Sequence, residues 1–301
     1  MTKLKHGNRL GPNEATLYRW LVSLEGNSLL APKDAMQALA ESASQNSLAH
    51  TLSLLNHKGI IKRIGKGVYI NESRGHSPGI IQVVPYVFKP LEYYIGLNAA
   101  ASHWGLTTQI PHSYHIIYNP GNHAQMKRVA RWCQMLKNEE ENLGGELIPV
   151  VSNISPLLVR GVSHATIEGT QIPVSTLERT IIDSVIYTEK IGGAGEALTW
   201  AKFALNRGVD FNELSRVFDY IYPFVVSVAA RLGFLLEMAQ EEIVTNVPAI
   251  KFVKKLEKLL STTSATYNWG PEKGRTEYFR KWRLHVSRNY LDQFEVISVY
   301  E

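Results

Sequence analysis

The stretch from Ser44 to Ile70 carries side chains suited to contact with a nucleic acid. Leu48, Leu52 and Leu55 recur at i, i+4 and i+7, which predicts a helix with one apolar face. Amide, hydroxyl and imidazole groups can hydrogen-bond to base edges or sugar-phosphate, so we expect the opposite face to contact DNA. The polar candidates on that face are Gln45, Asn46, His50, Ser53, Asn56 and His57.

A short basic hairpin is predicted directly after this helix. Two runs rich in β-branched residues, 60–64 and 68–70, flank Gly65-Lys66-Gly67, whose glycines allow the positive φ of a tight turn. Cations on such a hairpin can hold phosphates. The candidates for phosphate contact are Lys58, Lys62, Arg63 and Lys66.

The elements upstream complete a winged helix-turn-helix pattern. Leu17, Leu21 and Leu24 indicate an amphipathic helix from about Asn13, and Pro32 can begin a second helix. Two helices, a recognition helix and a basic hairpin follow the order of a winged helix. A small helical packing module with a solvated basic turn is the alternative interpretation.

Bulk composition predicts a two-domain globular protein. The chain has 301 residues, of which 45% are hydrophobic and 20% charged. The polar segment 71–79 predicts a boundary between a DNA-binding domain at 1–73 and a larger domain at 80–301. The single Cys133 excludes an internal disulfide framework, and the absence of a signal-peptide pattern favours a cytoplasmic location.

Membrane, cofactor and metal chemistry find no support in the sequence. The longest apolar segment, 223–238, contains Arg231 and is shorter than the ~20 residues that cross a bilayer. Phosphate-loop, dinucleotide-binding and standard zinc motifs are missing, so we expect no cofactor. His112 and His115 lie close together but lack a third ligand in register, so we expect no metal.

Charge is distributed unevenly along the chain. The net charge of +5 divides into +4 over residues 1–73, +7 over residues 251–290 and −6 elsewhere. Cations in the basic tail could touch nucleic acid or an acidic partner, although a solvated helix face and a half-buried strand explain them equally well. These additional candidates are Lys251, Lys254, Lys255, Lys258, Arg275, Arg280 and Arg283.

The larger domain is predicted to combine a small sheet with several helices, giving an α+β fold. Strand signals occur at 80–88, 113–118, 146–151, 157–162 and 165–174. Helix signals occur at 93–104, 196–206, 210–220, 224–240 and 248–260.

The segment from Val174 to Val185 has local chemistry of its own. Ser175 and Glu178 fit a capping box, and Arg179 can pair with Asp183 one turn later. We therefore expect structural roles here and no catalytic residues. The enzymatic alternative is a metal-dependent nuclease that uses Glu178 and Asp183 as acids.

Five segments together resemble the AbiEi family of antitoxins, found in abortive-infection, type IV toxin–antitoxin systems. The resemblance covers roughly residues 13–240. The segments are Gly59–Ile70 (GIIKRIGKGVYI), Tyr94–Thr107 (YIGLNAAASHWGLT), Ser175–Asp183 (STLERTIID), Gly192–Gly195 (GGAG) and Arg231–Glu237 (RLGFLLE).

The resemblance implies a function as well as a fold. It implies a winged-helix domain that represses the protein's own operon by binding inverted repeats in double-stranded promoter DNA. It also implies a C-terminal domain that counters a nucleotidyltransferase-like toxin encoded nearby, often without a stable complex. Direct toxin binding through the acidic middle or through Lys251 to Lys258 is an alternative.

Overall fold

The computed structural model has an α+β fold and describes residues 9–24, 29–39, 45–65, 67–74, 78–152, 160–239, 247–271 and 274–299. The helices are α1 (Pro12–Ser23), α2 (Pro32–Leu39), α3 (Gln45–His57), α4 (Ile80–Phe88), α5 (Leu97–His103), α6 (His123–Lys137), α7 (Glu140–Leu143), α8 (Leu177–Ile186), α9 (Ala194–Asn206), α10 (Phe211–Ile221), α11 (Ser227–Met238), α12 (Val247–Ser261) and α13 (Arg288–Val299). The strands are β1 (Leu29–Leu30), β2 (Ile61–Gly65), β3 (Val68–Asn71), β4 (Tyr93–Gly96), β5 (Ser113–Tyr118), β6 (Glu146–Val151), β7 (Val162–Ile167), β8 (Thr170–Ser175), β9 (Tyr267–Trp269), β10 (Thr276–Phe279) and β11 (Leu284–Ser287).

The strands form three sheets. Their orders are β1-β3-β2, β6-β5-β4-β8-β7 and β10-β11-β9. In the first sheet β3 lies between two antiparallel neighbours, and Leu29 is opposite Ile70. In the five-stranded sheet β4 runs antiparallel to β5 and parallel to β8.

The chain divides into two compact units, each built from segments that alternate along the sequence. Unit 1 contains residues 1–90, 122–148 and 167–170, and unit 2 contains the rest. The boundary predicted at 71–79 therefore falls inside unit 1, because α4 and α6 cluster with the first three helices.

The apolar stripe predicted in α3 forms part of the core of unit 1. Leu48, Leu52 and Leu55 are each at most 4% exposed and share one cluster with Leu17 and Leu21 of α1. Burying each of these leucine side chains contributes about 1.5–3 kcal/mol. The three leucines at helical spacing therefore form the face of α3 that packs against α1.

Two sequence predictions of secondary structure are wrong in part or whole. Residues 80–88, predicted as a strand, form α4, and residues 93–96, predicted as helix, form β4. The buried residues of α4 recur at i, i+1, i+3, i+4, i+7 and i+8, which is a helical spacing, whereas the β-branched composition of the run favours a strand. The predicted strand at 157–162 lies mostly outside the described residues.

The run 165–174, predicted as one strand, belongs to two neighbouring strands of the sheet. Glu168 and Gly169, between β7 and β8, both have positive φ, of 50° and 75°. Two successive residues of this kind are typical of a tight hairpin turn.

Helix α6, which the sequence analysis did not single out, packs against the β2–β3 hairpin within unit 1. Its buried residues are Val129, Trp132 and Leu136. A Cβ atom built on Gly65 of β2 would lie 2.0 Å from the Trp132 ring. Glycine at position 65 therefore makes room for the indole that covers this strand.

We predict that Gly65→Ala destabilises unit 1 by about 1–3 kcal/mol, because the added methyl group overlaps the Trp132 ring. Chemical denaturation of the full chain measures the change. In a Trp132→Leu background the same substitution should cost less, which a double-mutant cycle detects. Equal costs in both backgrounds would contradict the predicted contact.

Candidate nucleic-acid interface

The outer face of α3 presents a stripe of exposed polar side chains. His50, Ser53 and His57 follow one another at i, i+3 and i+7, and all three are exposed. Gln45 and Asn46 form the first two positions of the helix, and their side chains lie outside the described residues. The described part of the predicted face can thus hydrogen-bond to a ligand.

Asn56 fixes the hairpin to the helix. Its Oδ1 atom accepts a hydrogen bond of 2.8 Å from the backbone N–H of Arg63. Arg63 itself is exposed and donates from Nε to the Gly65 carbonyl at 3.1 Å. Asn56 therefore has a structural role in addition to the DNA-contacting role predicted for it. Lys66, the remaining cation predicted on the hairpin, lies outside the described residues.

Lys58 forms an ion pair inside unit 1. Its Nζ atom lies 2.7 Å from the Glu14 carboxylate and 3.0 Å from the Arg9 carbonyl oxygen. Burial raises the pKa of Glu14, but hydrogen bonds from Lys58 and from the Gly11 N–H outweigh it and hold the pKa below its ordinary value. Lys58, predicted to contact phosphate, thus compensates a carboxylate that is only 5% exposed, and its phosphate contact stays a prediction.

Lys62 is also paired, although it is more accessible. Its Nζ atom lies 2.5 Å from the carboxylate of Glu139, in the turn that follows α6. The Lys62 side chain keeps 42% of its surface exposed. Lys62 thus joins the hairpin to the α6 segment and still faces solvent.

The cations predicted as additional contacts belong to unit 2. On α12, Lys251, Lys254 and Lys258 are exposed, whereas Lys255 pairs with Asp219 of α10. Arg275 and Arg280 are exposed, and Arg283 is half-buried with a positive φ of 49°.

The aromatic residues among these cations belong mainly to the core. Trp269 is 2% exposed and Trp282 is fully buried, so neither indole is accessible for stacking on bases. Tyr278, by contrast, is 43% exposed and contacts the His285 ring.

The predicted pair of Arg179 and Asp183 lies in the core of unit 2. Arg179 Nε donates to Asp183 Oδ1 at 2.7 Å, and the Tyr94 hydroxyl donates to Asp183 Oδ2 at 2.8 Å. Arg179 also donates to the Tyr94 oxygen and to the Arg160 carbonyl. Burial raises the pKa of Tyr94 well above its ordinary value, so the phenol remains a donor. This network connects α8 to β4.

The capping residue of α8 differs from the prediction. Thr176, not Ser175, is the N-cap, and its side chain accepts from the Arg179 N–H at 3.3 Å. Ser175 ends β8 and bonds to the Thr180 hydroxyl at 2.8 Å. Glu178 accepts from the Asp210 N–H at the start of α10. The helix begins one residue later than predicted because the strand continues through Ser175.

Within the described ranges, no group of three or more His, Cys, Asp or Glu side chains could hold a metal ion. Among the described helices, none has both the length and the apolar character needed to span a membrane.

Comparison with known proteins gives a similarity of fold. No model of a known protein family matches the sequence, and no curated protein matches it significantly. The structure is similar to the crystal structure of the RV2827C protein from Mycobacterium tuberculosis, with a TM-score of 0.61 and 12% sequence identity over 98% of each chain. At that identity the match concerns the fold alone and supports the α+β architecture.

We predict that Lys58→Met destabilises unit 1 by about 1–3 kcal/mol, because it leaves the Glu14 carboxylate buried without its cation. Chemical denaturation at neutral pH measures the loss. Arg63→Met, which removes an exposed cation from the same hairpin, should change stability by no more than about 0.5 kcal/mol.

The pH dependence gives a second readout of this pair. A carboxyl whose pKa is depressed by folding stabilises the protein above its unfolded pKa, and that contribution disappears as the pH falls through the folded value. Wild-type stability should therefore decline below the ordinary Glu14 pKa of 4.5. A Lys58→Met variant with wild-type stability and wild-type acid dependence would contradict the assigned pairing.

Proposed function

We propose that unit 1 contains a winged helix-turn-helix that binds double-stranded DNA, with α3 as recognition helix and the β2–β3 hairpin as wing. The order α1, β1, α2, α3, β2, β3 and the three-stranded sheet support this proposal. The observation that carries it is the exposed stripe of His50, Ser53 and His57. A helix with this face and a packed opposite face suits insertion into the major groove.

Within this proposal the contacts divide by chemistry. The stripe on α3 supplies hydrogen bonds to base edges, and Arg63 with Lys66 and Lys62 supplies charge to phosphates. Asn56 and Lys58 act indirectly, because one fixes the hairpin and the other compensates Glu14. The protein acts as a regulator on DNA and not as an enzyme.

The wider role that we propose is repression of the protein's own toxin–antitoxin operon and antagonism of a nucleotidyltransferase-like toxin. The support is the resemblance to AbiEi antitoxins, whose residues in this chain include the motif 175–183. Arg179 and Asp183 of that motif are hydrogen-bonded in the core of unit 2, which agrees with a motif that maintains the fold. Operator DNA as ligand places the protein in the cytoplasm.

We predict that His50→Ala/Ser53→Ala/His57→Ala lowers the preference for operator over unrelated DNA by at least about tenfold, because each base contact is worth about 1–3 kcal/mol. Fluorescence anisotropy with DNA from upstream of the gene measures both affinities. The three positions are exposed, so the melting temperature should not change.

An equally exposed polar pair on α10 provides the control. Asn212→Ala/Arg216→Ala should leave both affinities unchanged. If the triple variant binds operator DNA as wild type does, the recognition-helix assignment fails. If the wild-type chain shows no preference for its upstream DNA at any salt concentration, the repressor proposal fails with it.

We predict that co-expression with a toxin encoded by the adjacent gene restores growth, and that the α3 triple variant still restores it. The reason is that the resemblance assigns antagonism to the C-terminal domain and DNA reading to the first. Growth curves of cells carrying either form measure this. Continued arrest with the wild-type chain, or an adjacent gene without a nucleotidyltransferase-like product, would remove the antitoxin role. Co-purification of the two proteins would identify direct binding as the mechanism.

A further inference from the structure

Helix α6 lies alongside β2, the outer strand of the hairpin. Trp132 of α6 covers Gly65, and Glu139 pairs with Lys62. The two contacts are seven residues apart along the α6 segment, about 10 Å of helix, and three residues apart along β2, about 10 Å of strand. The residue number rises from Trp132 to Glu139 as it falls from Gly65 to Lys62, so the α6 segment runs antiparallel to β2.

This direction carries the first part of α6 past the turn of the hairpin. Residues 123–131 precede Trp132, so they lie on the far side of Gly65 from Lys62. Nine helical residues extend about 13 Å. The N-terminal half of α6 therefore extends beyond Gly65, the last residue of β2.

That half of α6 is basic and has no acidic residue. Lys127, Arg128 and Arg131 fall within five residues, and the whole helix His123–Lys137 contains no Asp or Glu. Lys127 and Arg131 are exposed, and no ion pair with either side chain occurs among the described residues. Arg128 donates to the Lys89 carbonyl at 2.8 Å, which anchors the helix next to α4.

The arrangement of these cations is unfavourable for the helix itself. Lys127 and Arg131 at i and i+4, and Arg128 and Arg131 at i and i+3, repel each other. Local stability does not explain Lys127 and Arg131 at this point, whereas a polyanion along this face would compensate them.

We infer that Lys127 and Arg131 of α6 bind the DNA phosphate backbone next to the wing and extend the contact beyond the turn. This inference rests on the proposed DNA-binding function and adds a second positively charged element to it. Lys127, Arg131 and Gln134 lie on one helical face, and all three are exposed. Phosphates along the strand held by the wing would meet this face.

Lys127→Ala/Arg131→Ala in the full chain tests the inference on operator DNA. Two lost phosphate contacts should reduce the slope of log affinity against log salt by about 2, because each contact contributes ~0.9. The ratio of operator to unrelated affinity should stay the same, since phosphates carry no sequence information. Hydroxyl-radical footprinting should show protection shortened by about four base pairs at one flank, which corresponds to the ~13 Å of helix at 3.4 Å per base.

Two comparisons make the result specific. Lys190→Ala/Arg216→Ala removes two exposed cations from unit 2 and should leave the slope and the footprint unchanged. Alanine favours helix and the substitution removes the repulsion between the cations, so the circular dichroism of the α6 variant should match wild type and its melting temperature should be no lower.

The remaining outcomes separate this inference from the proposed function. If the α3 triple variant loses operator preference but the α6 variant keeps the wild-type slope and footprint, the α6 contact is wrong and the winged helix stands. If neither variant affects binding, both proposals fail. If the α6 variant loses sequence preference, the phosphate role of Lys127 and Arg131 is overturned.

Discussion

The contact between the Trp132 indole and Gly65 is the constraint on which unit 1 depends. A two-stranded hairpin is marginally stable by itself, and β2 is the outer strand of its sheet. The chain leaves unit 1 after Pro90 and returns at Asn122, so that α6 covers this strand. The ion pair of Lys62 with Glu139 fixes the same two segments a short distance away. The hairpin is thus positioned by residues far from it in sequence.

Unit 2 is organised around a buried charge that is fully compensated. A guanidinium and a carboxylate at 1% and 0% exposure are tolerable only because each polar atom finds a partner. The Tyr94 hydroxyl donates to the Asp183 carboxylate, and the Arg160 carbonyl accepts a hydrogen bond from Arg179. Asp183, one of the two acids considered for nuclease chemistry, is therefore part of a buried hydrogen-bonded network.

Among the residues proposed to contact DNA, the structure separates accessible groups from supporting ones. His50, Ser53, His57 and Arg63 are exposed, while Lys58 compensates a buried carboxylate. Sequence alone could not separate them, because a lysine after a helix looks the same whether its partner is a phosphate or Glu14, 44 residues away. The missed helix α6 does have a sequence signal, since Val129, Trp132 and Leu136 recur with helical spacing.

The sequence by itself determined the elements whose pattern is local. The leucines of α3, Gly67 of the hairpin with its φ of 73° and the Asp210 cap of α10 each specify structure through neighbours within a few residues. The tertiary structure decided what depends on distant partners. In α4 a buried face at helical spacing outweighs the strand preference of the β-branched residues, and the return of the chain at Asn122 places α6 beside the hairpin. Long-range packing sets both outcomes, because hydrophobic burial outweighs local propensity and has no fixed separation in sequence.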